Sequence, residues 1–217
     1  MPPSAASLSQ LPASRMPPTS APDQDFSERG RVLAMADTHD ERTAPSFSLR
    51  VGSVELLGEQ FSVVKAGDSD TVRAAGFGNP SSLAYSVFGR QSELLDVQAL
   101  GDTDPALAAV RAYDDGDPAL LETIDIHQDG TELRRAMWRA ARLVEPGTLA
   151  SYGDVAAIAG NPRAARAAAS ACGACLVGLF VPVHRIVRAS GKLAGHAADI
   201  AVRQALIDHE RAMGMGR

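Results

Sequence analysis

Cysteine is nearly missing from this 217-residue chain, which carries only Cys172 and Cys175. Two thiols three positions apart make no disulfide framework and fit a reducing compartment. No second Cys/His pair is spaced to complete a zinc site, so neither a metal nor another cofactor is expected. Also missing is any apolar run of the roughly 18 to 20 residues that a membrane span needs. The first residues lack a basic start followed by a compact apolar stretch, so no export signal is expected and the expected location is the cytoplasm. What is present is ordinary for a globular protein: 45% hydrophobic and 22% charged residues.

Charge is unevenly distributed. The whole chain is at −5, but residues 131–217 hold 12 Lys+Arg against 6 Asp+Glu, which puts that part at +6 and leaves residues 1–130 at −11. A basic C-terminal part suits a polyanionic partner, but on charge alone drift of surface charge along the chain is the plainer reading.

Residues 1–46 are rich in Pro, Ser, Ala and Asp, without periodicity, and are expected to be a disordered leader. From Phe47 to about Phe88, short alternating apolar stretches with glycine punctuation predict strands and tight turns. Residues 92–99 and 104–114 read as helical or mixed, 114–118 as a loop, and Leu120 to Ile126 as a further strand. Together these make an α+β unit over residues 47–128.

The part from 129 to 217 is sharper. Thr131 opens an amphipathic helix with Leu133, Met137, Trp138, Ala141 and Val144 at three- and four-residue steps. Ser151 and Asp154 form a capping-box pattern, which predicts a helix from Tyr152 to about Ala159 closed by Gly160. Asn161 as cap and Pro162 in the first turn predict the next helix, to about Cys172. Two short helices joined by Gly-Asn-Pro read as a helix-turn-helix, with Arg163 and Arg166 among small alanines. That pattern fits close approach to a nucleic-acid surface, and it fits equally an alanine-rich packing helix with solvated arginines. Leu176 to Val181 reads as a buried strand running into the turn Pro182-Val183-His184-Arg185. After it come a strand at 186–188, a hairpin-type turn at 189–192, a loop at 193–198 and a last helix from Ile200 to about Met213.

These ordered pieces resemble a known family. The segments 130-GTELRRAMWRAARLVEPGTLASYGDVAAIAGNPRAARA-167, 182-PVHRIV-187, Ser190-Gly191 and 205-ALIDHE-210 are similar to the DNA-binding domain of the alkylguanine-DNA alkyltransferases, and 109-AVRAYDDGD-117 resembles their N-terminal domain. The resemblance implies an α+β fold: a strand-rich N-terminal domain, then a helical C-terminal domain with a winged helix-turn-helix. It implies that a damaged guanine is turned out of the duplex into a pocket. Tyr152 would crowd the phosphate and Arg166 would fill the gap in the stack. Pro162, Arg163, Ala165 and Ala167 would complete the DNA surface. The lesion pocket would be lined by Cys172, Cys175, Val183, Ile186, His196, Ala197 and Ala198. His184 and Glu210 stand where the family keeps the groups that activate its acceptor thiol, and Val183 stands at the thiol's own position.

A valine cannot accept an alkyl group, so the expectation is recognition of alkylated guanine in double-stranded DNA without transfer, as in the alkyltransferase-like group. Two alternatives remain: transfer to a relocated nucleophile, Cys175, or a relic that binds DNA nonspecifically. The departures from the family pattern are alanines at 167–169 in place of glycine, Cys175 for an asparagine, His196 for a tyrosine, and Asp199 for a glycine. The chain would act as a nucleoid-associated monomer that hands the lesion to downstream repair proteins, with no membrane partner.

Overall fold

The structure is a computed structural model and describes residues 48–215. The expected leader, residues 1–46, lies outside the described residues. β1 (Leu49–Leu56) and β2 (Glu59–Ala66) pair as a hairpin from Leu56↔Glu59 to Leu49↔Ala66. Its two-residue turn holds Leu57 at φ 55 and Gly58 at φ 79, the left-handed pair that matches the twist of a hairpin. β3 (Val72–Phe77) lies antiparallel to β2, and β4 (Val97–Ala99) parallel to β1, giving the order β3-β2-β1-β4.

The strand pattern expected up to residue 88 stops earlier, because α1 (Pro80–Phe88) is a helix. The Asn79 side chain accepts from Ser81 N at 2.7 Å, and Pro80 fills the first turn at no hydrogen-bonding cost. A 3₁₀ turn over Gly89–Leu94 then leads to β4. α2 (Pro105–Asp114) lays Leu107, Val110 and Tyr113 on the sheet. It approaches so closely that a Cβ on Gly52 would sit 2.7 Å from Leu107 Cδ1.

The strand predicted over 120–126 is instead α3 (Ala119–Thr123). Asp117 accepts from Ala119 N at 3.0 Å and starts a helical turn, and only Ile126 reaches β3, as a single bridge to Val72.

α4 (Glu132–Arg142) is capped by Thr131 and buries Met137, Trp138, Ala140 and Ala141, while Leu133 remains 39% exposed. β5 (Ala150–Ser151) leads into α5 (Tyr152–Ile158) through the predicted capping box, with Ser151 N donating to Asp154 Oδ2 at 2.8 Å and Asp154 N to Ser151 Oγ at 3.1 Å.

α6 (Ala165–Gly173) begins at Ala165 rather than Pro162. The Asn161 amide donates back to Ala159 O instead of capping, and residues 161–164 close a separate turn through Ala164 N to Asn161 O at 2.8 Å. α4, α5 and α6 pack on one another, with Trp138 Nε1 donating to Ala171 O at 2.8 Å.

Leu176 to Val181 is buried but is not a strand. Val177 and Gly178 each make one bridge, to Ala75 and Val181, and Leu179 at φ 71 turns the chain back. The run is apolar because it closes the edge of β3, not because it is extended. β6 (Ile186–Val187) pairs parallel with β5. α7 (Ala197–Ala212) starts inside the predicted loop, with Asp199 in its first turn facing the favourable end of the helix dipole. One apolar cluster runs from Val54 and Leu56 through Met137 and Val155 to Val181 and Leu206, so sheet and helices share a core.

Candidate functional site

The Pro182-Val183-His184-Arg185 stretch forms a single 3₁₀ turn over Val183–Arg185. Three devices fix it. The β5–β6 ladder pairs Ala150 with Ile186 and Ser151 with Val187, which sets the turn beside the start of α5 and hence beside Tyr152. Arg203 of α7 donates Nη2 to Val183 O at 2.6 Å and to Ile186 O, and Nη1 to Ala194 O at 2.7 Å. One guanidinium thus holds both ends of the turn and the loop before α7. Glu210 of α7 is the third.

Glu210 is 1% exposed and gathers five donors. It accepts from Arg185 Nε and Nη2 at 3.0 and 2.8 Å, Tyr113 OH at 3.0 Å and Gly147 N at 2.8 Å, and it meets His184 Nε2 at 2.8 Å. An ionised carboxylate can only accept, so His184 carries a proton on Nε2. Burial pushes the Glu210 carboxyl up, but the hydrogen bonds from His184 and Arg185 and the Arg185 charge outweigh it and hold it at about 2. Burial pushes His184 below its ordinary 6.5, against the pull of Glu210. Burial and the adjacent carboxylate push the Tyr113 phenol upward. The arrangement is an ionised carboxylate clamped by an arginine, with a buried imidazole on the turn.

Both depressed pKa values make the fold acid-sensitive. The unfolded chain takes up a proton on histidine near 6.5 and on glutamate near 4.5, while the native groups resist it. Stability is therefore full above the unfolded values, declines as pH falls below about 6.5, and declines again as pH falls from 4.5 toward 2. The expected result is a urea midpoint that is level between neutral and mildly alkaline pH and drops below pH 6.5. A midpoint that rises on acidification would contradict a neutral buried His184.

Neither cysteine is poised to attack. Cys175 receives Gln128 Nε2 at 3.7 Å, and burial pushes its thiol up to about 11. Burial and the neighbouring Cys175 push Cys172 up to about 12. At neutral pH the thiolate fraction of Cys175 is on the order of 10⁻⁴. Gln128 also accepts from Leu176 N at 2.9 Å, so it ties the segment that leads into the turn.

Of the residues expected on the DNA surface, Pro162, Arg163 and Arg166 are exposed, and Ala165, Ala167 and Tyr152 are half-buried. Among the described residues no hydrogen bond or ion pair holds the side chain of Arg163 or Arg166. Of the expected pocket, Cys172, Cys175 and Val183 are half-buried, while His196, Ala197 and Ala198 are exposed at the start of α7. Ile186 is 0% exposed and packs in the core cluster.

Tyr113, Arg185 and Arg203 were not singled out from sequence. Arg185 lies inside the quoted Pro-Val-His-Arg motif but carried no assigned role, and its burial was the missing signal. Tyr113 lies ninety-seven residues from Glu210, and no local pattern marks that contact.

Residues 132–212 match the family described as 6-O-methylguanine DNA methyltransferase, DNA binding domain. Over those residues the chain is similar to the DNA-binding domain of the alkylguanine-DNA alkyltransferases. The methylated-DNA–protein-cysteine methyltransferase of Salmonella typhimurium is 36% identical to this chain over 98 residues, 45% of the chain and 57% of that protein. The match thus spans little more than half of the relative. The O6-methylguanine methyltransferase of Mycobacterium tuberculosis superposes with TM-score 0.62 at 22% identity, over 78% of this chain and 96% of the other. The same organism's OGT in complex with DNA gives TM-score 0.57 at 22% identity, over 76% and 94%. At this identity the likeness is one of fold, and it extends to the N-terminal sheet.

Proposed function

We propose that this chain binds double-stranded DNA and recognises guanine alkylated at O6 as a base turned out of the helix, without accepting the alkyl group. One observation carries the reading. The turn that would present the acceptor is held by Arg203, Glu210 and the β5–β6 ladder, yet its first residue is Val183. Valine has the size to keep the turn and no sulfur to alkylate. Relocated transfer to Cys175 is disfavoured by the burial that keeps its thiol protonated. The DNA surface would be α5 and α6 acting as a helix-turn-helix, with the free arginines Arg163 and Arg166 toward the phosphates and the stack. The family description of residues 132–212 as a DNA-binding domain and the basic charge of this half support the same surface.

The test compares affinity for a duplex with one O6-methylguanine against the same duplex with guanine, across a salt series. Tighter binding of the lesion, weakening as salt releases the counterion gain, is the expected result. Equal binding of both duplexes would leave nonspecific DNA binding in its place. Arg166→Ala is expected to lower affinity for the lesion duplex about tenfold and to abolish the fluorescence rise of a flipped base analogue. A variant that binds and flips like the parent would remove Arg166 from the role of finger.

A further inference from the structure

The sheet has two edges, and among the described residues only one is covered. β3 is closed by residues 125–127 and 176–178, through Val72 N to Asp125 O, Ala75 N to Leu176 O and Gly178 N to Ala75 O. β4 pairs with β1 alone among the described strands, and Val97, Gln98 and Ala99 are all exposed. The bonds Leu49 N to Asp96 O and Leu100 N to Val51 O set the phase of the β1–β4 ladder. By the alternation of a parallel pair, Gln98 faces β1, and Val97 and Ala99 turn their N–H and C=O groups to the open side.

Beside this edge lies a groove of about 560 Å³ between β1, β4 and α1. Leu49, Val51, Leu95, Val97 and Tyr85 form its apolar walls and Glu93 stands on it. Leu49 and Val97 are register partners, so they share the sheet face toward the groove. Val97 is 54% exposed and Tyr85 51%, more than isolated core-facing positions would be. A strand added outside β4 would place its alternate side chains over that groove.

The charge of the site selects the partner. Residues 91–104 contain Glu93, Asp96, Asp102 and Asp104 and no Lys or Arg. Arg90 just before them is the nearest cation in sequence, and Asp104 is already taken by Lys65 at 2.7 Å. Residues 48–130 as a whole carry 14 Asp+Glu against 5 Lys+Arg. Lysine and proline, which blunt many natural edges, are absent from β4, whose one protection is its length of three residues.

We propose that the β4 edge and its groove are a docking site for a basic, extended segment of another protein, which adds a strand to the sheet and seats an apolar side chain between α1 and β4. The surface lies on the acidic half of the chain, in a different segment from Arg163 and Arg166, and does not depend on lesion recognition.

The probe is a fluorescein-labelled, capped short peptide alternating lysine with valine and phenylalanine, followed by polarisation with the full chain. The control carries glutamate for lysine. Binding of the basic peptide at least tenfold tighter than the acidic one is expected. Val97→Pro removes a donor only from the open side and leaves the β1 ladder intact. It is expected to lose at least tenfold in peptide affinity with an unchanged melting temperature. Ser82→Trp, an exposed residue of the groove wall, should do the same by filling it. No binding by the parent, equal binding of both peptides, or full binding by both variants would overturn the proposal. So would a parent dimer that Val97→Pro makes monomeric, since a second copy would then own the edge. DNA affinity measured on the same variants should be unchanged, which separates this outcome from failure of the lesion reading.

Discussion

Glu210→Ala is expected to destabilise the protein by about 3–5 kcal/mol, the penalty for leaving a buried charge without its partner. The substitution strands the Arg185 guanidinium, Tyr113 OH, Gly147 N–H and His184 in a site where Glu210 is 1% exposed. Against a typical net stability of about 5–15 kcal/mol, that loss brings the variant close to unfolding, and a urea midpoint measures it directly. The charge itself is not what the fold requires. Replacing Glu210 and Arg185 together by methionine should recover part of the loss, because buried pairs roughly break even against apolar groups of similar size. A single Glu210→Ala change within 1 kcal/mol of the parent would mean that water reaches the cluster and that the five contacts are not its support.

Val183→Cys carries the second large effect, because it takes methyl transfer from none to a measurable rate. The new thiol would stand on a turn already held by Arg203 and next to His184, which Glu210 keeps oriented. The neighbouring imidazole can stabilise a thiolate through a hydrogen-bonded chain. The rate is expected to stay low. A misplacement of about 1 Å costs on the order of a hundredfold, and Cys175, His196 and Asp199 all differ from the family pattern around the pocket. Adding Cys175→Asn and His196→Tyr should raise the rate further. Label transferred from methylated DNA to protein follows all three chains. Transfer by the parent that disappears in Cys175→Ser would reinstate the relocated nucleophile. Silence from the triple variant would mean that the pocket no longer receives the base.

The segments that were readable in advance are those whose instructions are local. The Ser151–Asp154 capping box and the helix start at Thr131 each act within four residues and each formed as read, and the strands and tight turns expected after Phe47 include the hairpin at 57–58. Misreadings arose where tertiary contact overrode pattern. Leu176 to Val181 looks like a strand because every side chain is apolar, yet the left-handed Leu179 folds it into a plug against β3. Leu120 to Ile126 looks like a strand by the same test, and Asp117 starts a helix there instead. At the site, His184 and Glu210 were visible through the family pattern. Tyr113 and Arg203 were not, since one acts across the two halves of the chain and the other binds only backbone carbonyls. A side chain that serves the main chain leaves no chemical signature in sequence.

The separation of charge along the chain has an electrical consequence. An excess of acid on the sheet half and of base on the helical half makes the molecule a dipole as well as a weak anion. A polyanion repels the molecule's net charge but exerts a torque on its dipole. Within about one Debye length, roughly 8 Å at physiological salt, that torque turns the helical half inward before any contact is made. The acidic half, to which β4 belongs, is then the half left toward the solvent.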